Sequence, residues 1–206
     1  MRTLIILLIA TATAHADGNE LWFGGGTRAL RSTSADAVTS DSLGIGALGY
    51  EHALPVEIPR VALWAEAGFS WGAADGNMFQ TLKTHLDTQL FVVGARAHYR
   101  LHRLIDATAR VDLGTARTAL WVNDASDAGW AAVAQGAVGL DLFAARSPGF
   151  GIGLRAELGY TATSGVALTP HSDQQGDTLQ LKMAGASIGH LDLSGPWLAI
   201  SLIGAF

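Results

Sequence analysis

The chain has 206 residues, no cysteine, a net charge of −5 and only 15% charged residues. Without thiols there is no disulfide framework, no thiolate zinc site and no cysteine nucleophile. Without a basic run there is no electrostatic footprint for nucleic acid. Only Lys83 and Lys182 stand beside eleven arginines, although a water-facing surface usually relies on lysine. Something other than water is therefore expected to face much of the surface.

Residues 1–16 read as a removable export signal: Arg2 gives the positive start, Leu4 to Ala10 the apolar stretch, and Ala14-His15-Ala16 a small-residue cleavage site before Asp17. The apolar stretch is far shorter than the ~20 residues a membrane helix needs. Residues 17–206 are then one domain. No later segment reads as a membrane helix, because glycine and charge interrupt every apolar window. A chain of this kind can span a membrane only with strands.

Eight strands are expected, near 20–31, 43–53, 60–71, 84–101, 104–121, 129–143, 149–163 and 196–206. Glycine blurs the faces of the first two. In the third, Val61, Leu63, Ala65, Ala67, Phe69 and Trp71 alternate with Trp64, Glu66, Gly68 and Ser70. The fourth sets Phe91, Val93, Ala95, Ala97 and Tyr99 against Leu90, Val92, Gly94, Arg96, His98 and Arg100. The fifth sets Ile105, Ala107, Ala109, Val111 and Leu113 against Asp106, Thr108, Arg110, Asp112 and Gly114; the sixth sets Trp130, Ala132, Ala134, Val138 and Leu140 against Gln135 and Asp141. From Phe150 to Thr161 the alternation has no slip, and Arg155 and Glu157 share the polar face. The connections 102–103 and 144–148 read as tight, and 32–42, 72–83, 122–128 and 164–195 as longer and polar. An even strand count returns both termini to one side, as single-chain bacterial barrels require.

Alternation does not say which face points outward, since a soluble barrel also alternates. Here the polar face is mostly small residues with isolated charges, a poor soluble surface but a fitting small lumen. The apolar face carries Trp71, Trp121, Trp130 and Tyr160 towards one rim, and Tyr50, Tyr99, Phe150 and Phe206 towards the other. Such paired girdles suit two membrane interfaces.

The final segment, Pro196-Trp197-Leu198-Ala199-Ile200-Ser201-Leu202-Ile203-Gly204-Ala205-Phe206, alternates and ends in phenylalanine. In this it resembles the small bacterial outer-membrane barrels of the OmpA, OmpX and OmpW type. The resemblance implies an all-β fold, an eight-stranded antiparallel up-and-down transmembrane β-barrel in the outer membrane. It also implies contact with outer-membrane lipid and lipopolysaccharide, and recognition of the C-terminal strand by the barrel-insertion machinery. Nothing in it demands more than a monomer.

An eight-stranded barrel is only wide enough for its own side chains, so inward charges must pair. The candidate network is Arg96, Arg100, Asp106, Arg110, Asp112, Glu66, Arg155, Glu157 and Asp141, with Arg28, Glu20 and Glu51 also facing inward. If the turn after the fourth strand centres near Arg103, Arg100 faces Asp106 and Arg96 faces Arg110. The role expected is a structural or accessory barrel, not an enzyme, whose loops contact the exterior. The alternative is a narrow channel for ions or small hydrophobic molecules, with Trp22, Trp64 and Trp197 lining it. A lipid-modifying enzyme would need a triad; His171-Ser172-Asp173 and the pair His85 and Asp87 are weak material, because adjacent residues seldom converge. His98 and His102, four apart on a strand, lie about 13 Å from each other, too far to share a metal, and each reads as a rim residue. No metal or cofactor is expected.

Overall fold

A computed structural model describes residues 18–36, 38–56, 58–78, 81–170 and 189–206. The export signal expected at 1–16 and the His171-Ser172-Asp173 run lie outside the described residues.

Eight strands pair antiparallel in a closed ring: β1 (Asn19–Ala29), β2 (Ser42–Ala53), β3 (Val61–Met78), β4 (Leu82–His102), β5 (Ile105–Val122), β6 (Ala125–Ser147), β7 (Phe150–Thr163) and β10 (Gly195–Ala205). Between them lie a single helical turn, α1 (Thr33–Asp36), and a two-residue pair, β8 (Val166–Ala167) with β9 (His190–Leu191). Each strand follows its chain neighbour, so the topology is up-and-down. β1 and β10 close the ring over Glu20↔Ala205 to Arg28↔Trp197. The backbones of Asn19 and Phe206 exchange two hydrogen bonds, of 3.1 and 2.9 Å, at its end. Within the ring, closure pairs every strand on both sides, which is the condition for strands in hydrocarbon.

Three connections are shorter than their sequence suggests. The 72–83 segment is mostly ladder, since β3 runs to Met78 and β4 begins at Leu82. The 122–128 segment is a two-residue turn at Asn123–Asp124, where Asn123 takes a left-handed φ of 49°, a conformation asparagine tolerates. β6 likewise continues to Ser147. The outward side chains of the β3–β4 extension are Asp75, Asn77, Lys83, His85 and Asp87, polar enough to resemble loop composition. A backbone ladder needs no apolar face to persist, so polarity misleads there about length. A membrane strand needs only about 9–11 residues, and the 21 residues of β4 therefore extend well past the bilayer.

The outward face is apolar all round. Val93, Val111, Leu113, Trp130 and Val138 are each more than 60% exposed. So are the girdle rings, if less strongly: Trp71, Trp121 and Tyr160 at the loop end, and Tyr50, Tyr99 and Phe150 at the turn end, are exposed, while Phe206 is half-buried. The inward face is charged in the half near the termini and apolar in the half near the loops.

Candidate functional site

The lumen is the site in which the inward residues meet. Its charged layer begins with Arg155 on β7, whose guanidinium is fully buried and touches three carboxylates. It takes Asp141 on β6 through two bonds, of 2.7 and 2.8 Å, and binds Glu51 on β2 and Glu20 on β1. Period two puts these four groups inside; ring closure brings β1 and β2 beside β7 although they are over 100 residues apart. Arg96 on β4 lies next in the stack, 3.0 Å from Glu51, 3.1 Å from Glu66 and 2.8 Å from Glu157. Arg110 on β5 touches Glu66 at 3.0 Å, Asp112 at 2.9 Å and Glu157 at 3.2 Å. Glu51 thus links Arg155 to Arg96, and Glu66 and Glu157 link Arg96 to Arg110. Each planar guanidinium serves several carboxylates at once, as its five fixed donors allow.

The hairpin register pairs Arg96 with Arg110 and Arg100 with Asp106. Two like charges directly opposite would repel, and the shared Glu66 and Glu157 lie between them to offset this. Arg100 does not join the buried layer. Its side chain is 59% exposed and 3.6 Å from Asp106, which is held more closely by Arg146 at 2.6 Å. A register irregularity falls between Arg100 and His102, just before the last β4–β5 pair, His102↔Ile105.

His98, expected at a rim, is instead buried in the layer. Its Nε2 is 3.1 Å from Glu51 and its Nδ1 3.5 Å from Asp141. Even spacing from Arg96 placed it on the inward face; the depth of that face was not legible from alternation. His102 is exposed at the mouth. Among the described residues no group of three or more metal-ligating side chains is assembled.

Above the ions the lumen changes character. Trp22 and Trp197 lie inside, and the guanidinium of Arg110 sits 5.9 and 5.1 Å from their ring centres, within reach of a cation–π attraction. Each indole fits only because its neighbour is glycine. A Cβ on Gly49 would come within 2.4 Å of Trp22, and one on Gly159 within 2.4 Å of Trp197. Trp64 is half-buried towards the opposite mouth, its ring tilted against that of His98 at a centroid distance of 5.2 Å, so the three tryptophans do not line one path.

The loop end is filled by an apolar cap. Leu43, Ala74, Leu86, Leu120 and Ala131 from the strands meet Leu30, Ala35 and Val38 of the first connection and Val166, Leu168, Leu191 and Leu193 of the last. Leu43, Leu86 and Leu120 are completely buried. The two connections are tied together: Ser32 donates to the backbone carbonyl of Asp192 at 2.5 Å, and the Asp192 amide donates to Ser34 at 3.2 Å. The Asp192 carboxylate accepts from the hydroxyls of Ser194 at 2.5 Å and Thr163 at 2.9 Å, and from the Ser194 amide at 2.9 Å. Burial disfavours its charge, but these donors outweigh burial and hold its carboxyl below the usual range. Polar alternation in the strands does not announce the cap, because its loop half comes from residues with no period.

At the other end an open vestibule of about 600 Å³ is bordered by Trp64, His98, Arg100, Asp106 and Arg146. Its wall includes Arg60, which sits at a left-handed φ of 65° and whose carbonyl accepts from the Arg100 amide at 3.1 Å.

No family model matches the sequence, and no curated protein sequence matches it. The structure is similar to the crystal structure of Neisserial surface protein A (NspA), with a TM-score of 0.54 and 7% identity, over 91% of this chain and 96% of that one. Weaker likenesses, which carry no argument, are to Ail, the attachment invasion locus protein of Yersinia pestis (TM-score 0.45, 11% identity, 91% and 98% covered), and to the transport unit of the autotransporter AIDA-I from Escherichia coli (TM-score 0.47, 8% identity, 95% and 92% covered). At such identity the likeness to NspA speaks for the fold alone. Taken with the outward apolar belt and the closed ring, it gives this chain the fold of an eight-stranded, antiparallel, up-and-down transmembrane β-barrel.

Proposed function

We propose that the protein is a bacterial outer-membrane barrel with a structural or accessory role, in which the wall and its loops are the working surface and the lumen is a sealed core. The observation that carries this reading is the stacking of two fillings in one lumen. The ionic layer joins Arg155, Arg96 and Arg110 to carboxylates whose side chains are 0–4% exposed, and the apolar cap closes the loop end. An ion crossing would have to break the first and wet the second. The vestibule favours access from the turn end only, which is not a channel.

In this reading the girdle tryptophans meet lipid headgroups, the loops meet lipopolysaccharide or other exterior partners, and the C-terminal strand ending in Phe206 is read by the insertion machinery. Removing Phe206 is expected to lower the amount of barrel assembled in cells while purified chain still refolds in detergent; equal losses in both would assign the residue to stability instead. The role itself is tested in planar bilayers. Purified barrel is expected to give no steady ohmic current over a range of salts, and a reproducible unitary conductance would favour the channel. The reading gives the barrel no catalysis. Mass analysis of outer-membrane lipid from cells with and without the protein is expected to show unchanged acylation.

A further inference from the structure

Among the described residues, Arg28 is the one buried arginine without a carboxylate partner. It lies near the loop end of β1, 1% exposed, and among the described residues no acid is within ion-pairing distance. Its Nε and Nη1 are buried without a hydrogen-bond partner. The indole Nε1 atoms of Trp22 and Trp197 are likewise buried and unpartnered. All three side chains border the same cavity of about 30 Å³ between the ionic layer and the cap, together with Arg110, Glu157 and Gln135.

These unpartnered groups share one chemistry, since guanidinium and indole nitrogens only donate. A lone cation without water or a counter-charge is costly in a low-dielectric interior. The acidic groups on that wall are already committed. Glu157 lies 2.8 Å from Arg96 and 3.2 Å from Arg110. In the register it is level with Ala199 and Gly26, two residues short of Arg28 along β1. The Gln135 amide donates to Thr161 at 2.8 Å. The space itself selects the ligand. One water-sized particle needs roughly 10–15 Å³ measured this way, so the cavity holds one or two, enough for a monoatomic ion with or without a water and too little for a carboxylate metabolite or sulfate.

We propose that this cavity is a binding site for a single small inorganic anion, a halide, held by Arg28 with the indole N–H group of Trp197, its direct partner across the β1–β10 ladder. The ion supplies the counter-charge that no side chain among the described residues provides, and it joins the ionic layer to the cap.

Purified chain refolded into detergent at constant ionic strength provides the test, with gluconate replaced stepwise by chloride or bromide. The melting temperature of the wild type is expected to rise saturably with halide, by roughly 5–10 °C at a hundredfold excess over the dissociation constant. Arg28→Met is expected to lose that dependence, and Trp197→Phe to shift it to higher halide. Crystals of wild-type barrel refolded in bromide are expected to show an anomalous peak beside Arg28, which decides the matter even if Arg28→Met does not fold. A melting temperature indifferent to halide, with water density and no bromide in the cavity, would overturn the proposal.

Discussion

Arg110 shows how much one side chain carries in this lumen. It touches Glu66, Asp112 and Glu157; Glu66 and Glu157 keep Arg96 if it is removed, but Asp112 has no other ion pair among the described residues. Arg110→Ala therefore leaves one buried carboxylate uncompensated, at a cost of roughly 3–5 kcal/mol. The melting temperature of the folded barrel is expected to fall by about 10 °C. Adding Asp112→Asn removes the stranded charge and is expected to recover part of that loss, whereas strictly additive effects would show that the pair is not coupled. At the loop end, Asp192 ties the two connections that build the cap. Its folded carboxyl is held below the ordinary range, so its contribution is present above about pH 4 and is lost as the pH falls through the depressed folded value. Protection of the 190–194 amides, taken relative to their intrinsic exchange rate at each pH, is expected to fall in that acid window, and Asp192→Asn is expected to lower it at neutral pH as well.

At the scale of elements, strict alternation made six of the eight barrel strands visible by composition, and glycine blurred the first two. Which inward residue meets which was legible only within hairpins: the Arg96 and Arg110 register follows from a turn near Arg103. The contacts of Arg155 with Glu20 and Glu51 depend on ring closure, and no local pattern carries that. The cap was invisible for a second reason. Leu86 and Leu120 fall on the face called polar, and their neighbours Leu168 and Leu193 come from an aperiodic connection. Leu86→Ala is expected to cost roughly 2–5 kcal/mol, read as a lower melting temperature with the strand content at low temperature unchanged. Glycine belongs to this scale too. Gly159→Val places side-chain atoms where the Trp197 indole lies, and overpacking of that kind costs about 1–3 kcal/mol.

For the whole molecule, every statement about the lumen depends on the apolar faces meeting hydrocarbon. The absence of cysteine makes this directly testable with single spin labels. A label at Leu113, 68% exposed on β5, in barrel reconstituted into lipid vesicles is expected to collide freely with dissolved oxygen, which concentrates in hydrocarbon, and to be shielded from a water-soluble nickel chelate. A label at Asn123, in the turn beyond the girdle, is expected to show the opposite. Free access of the nickel chelate to the Leu113 label in the reconstituted barrel would contradict the account.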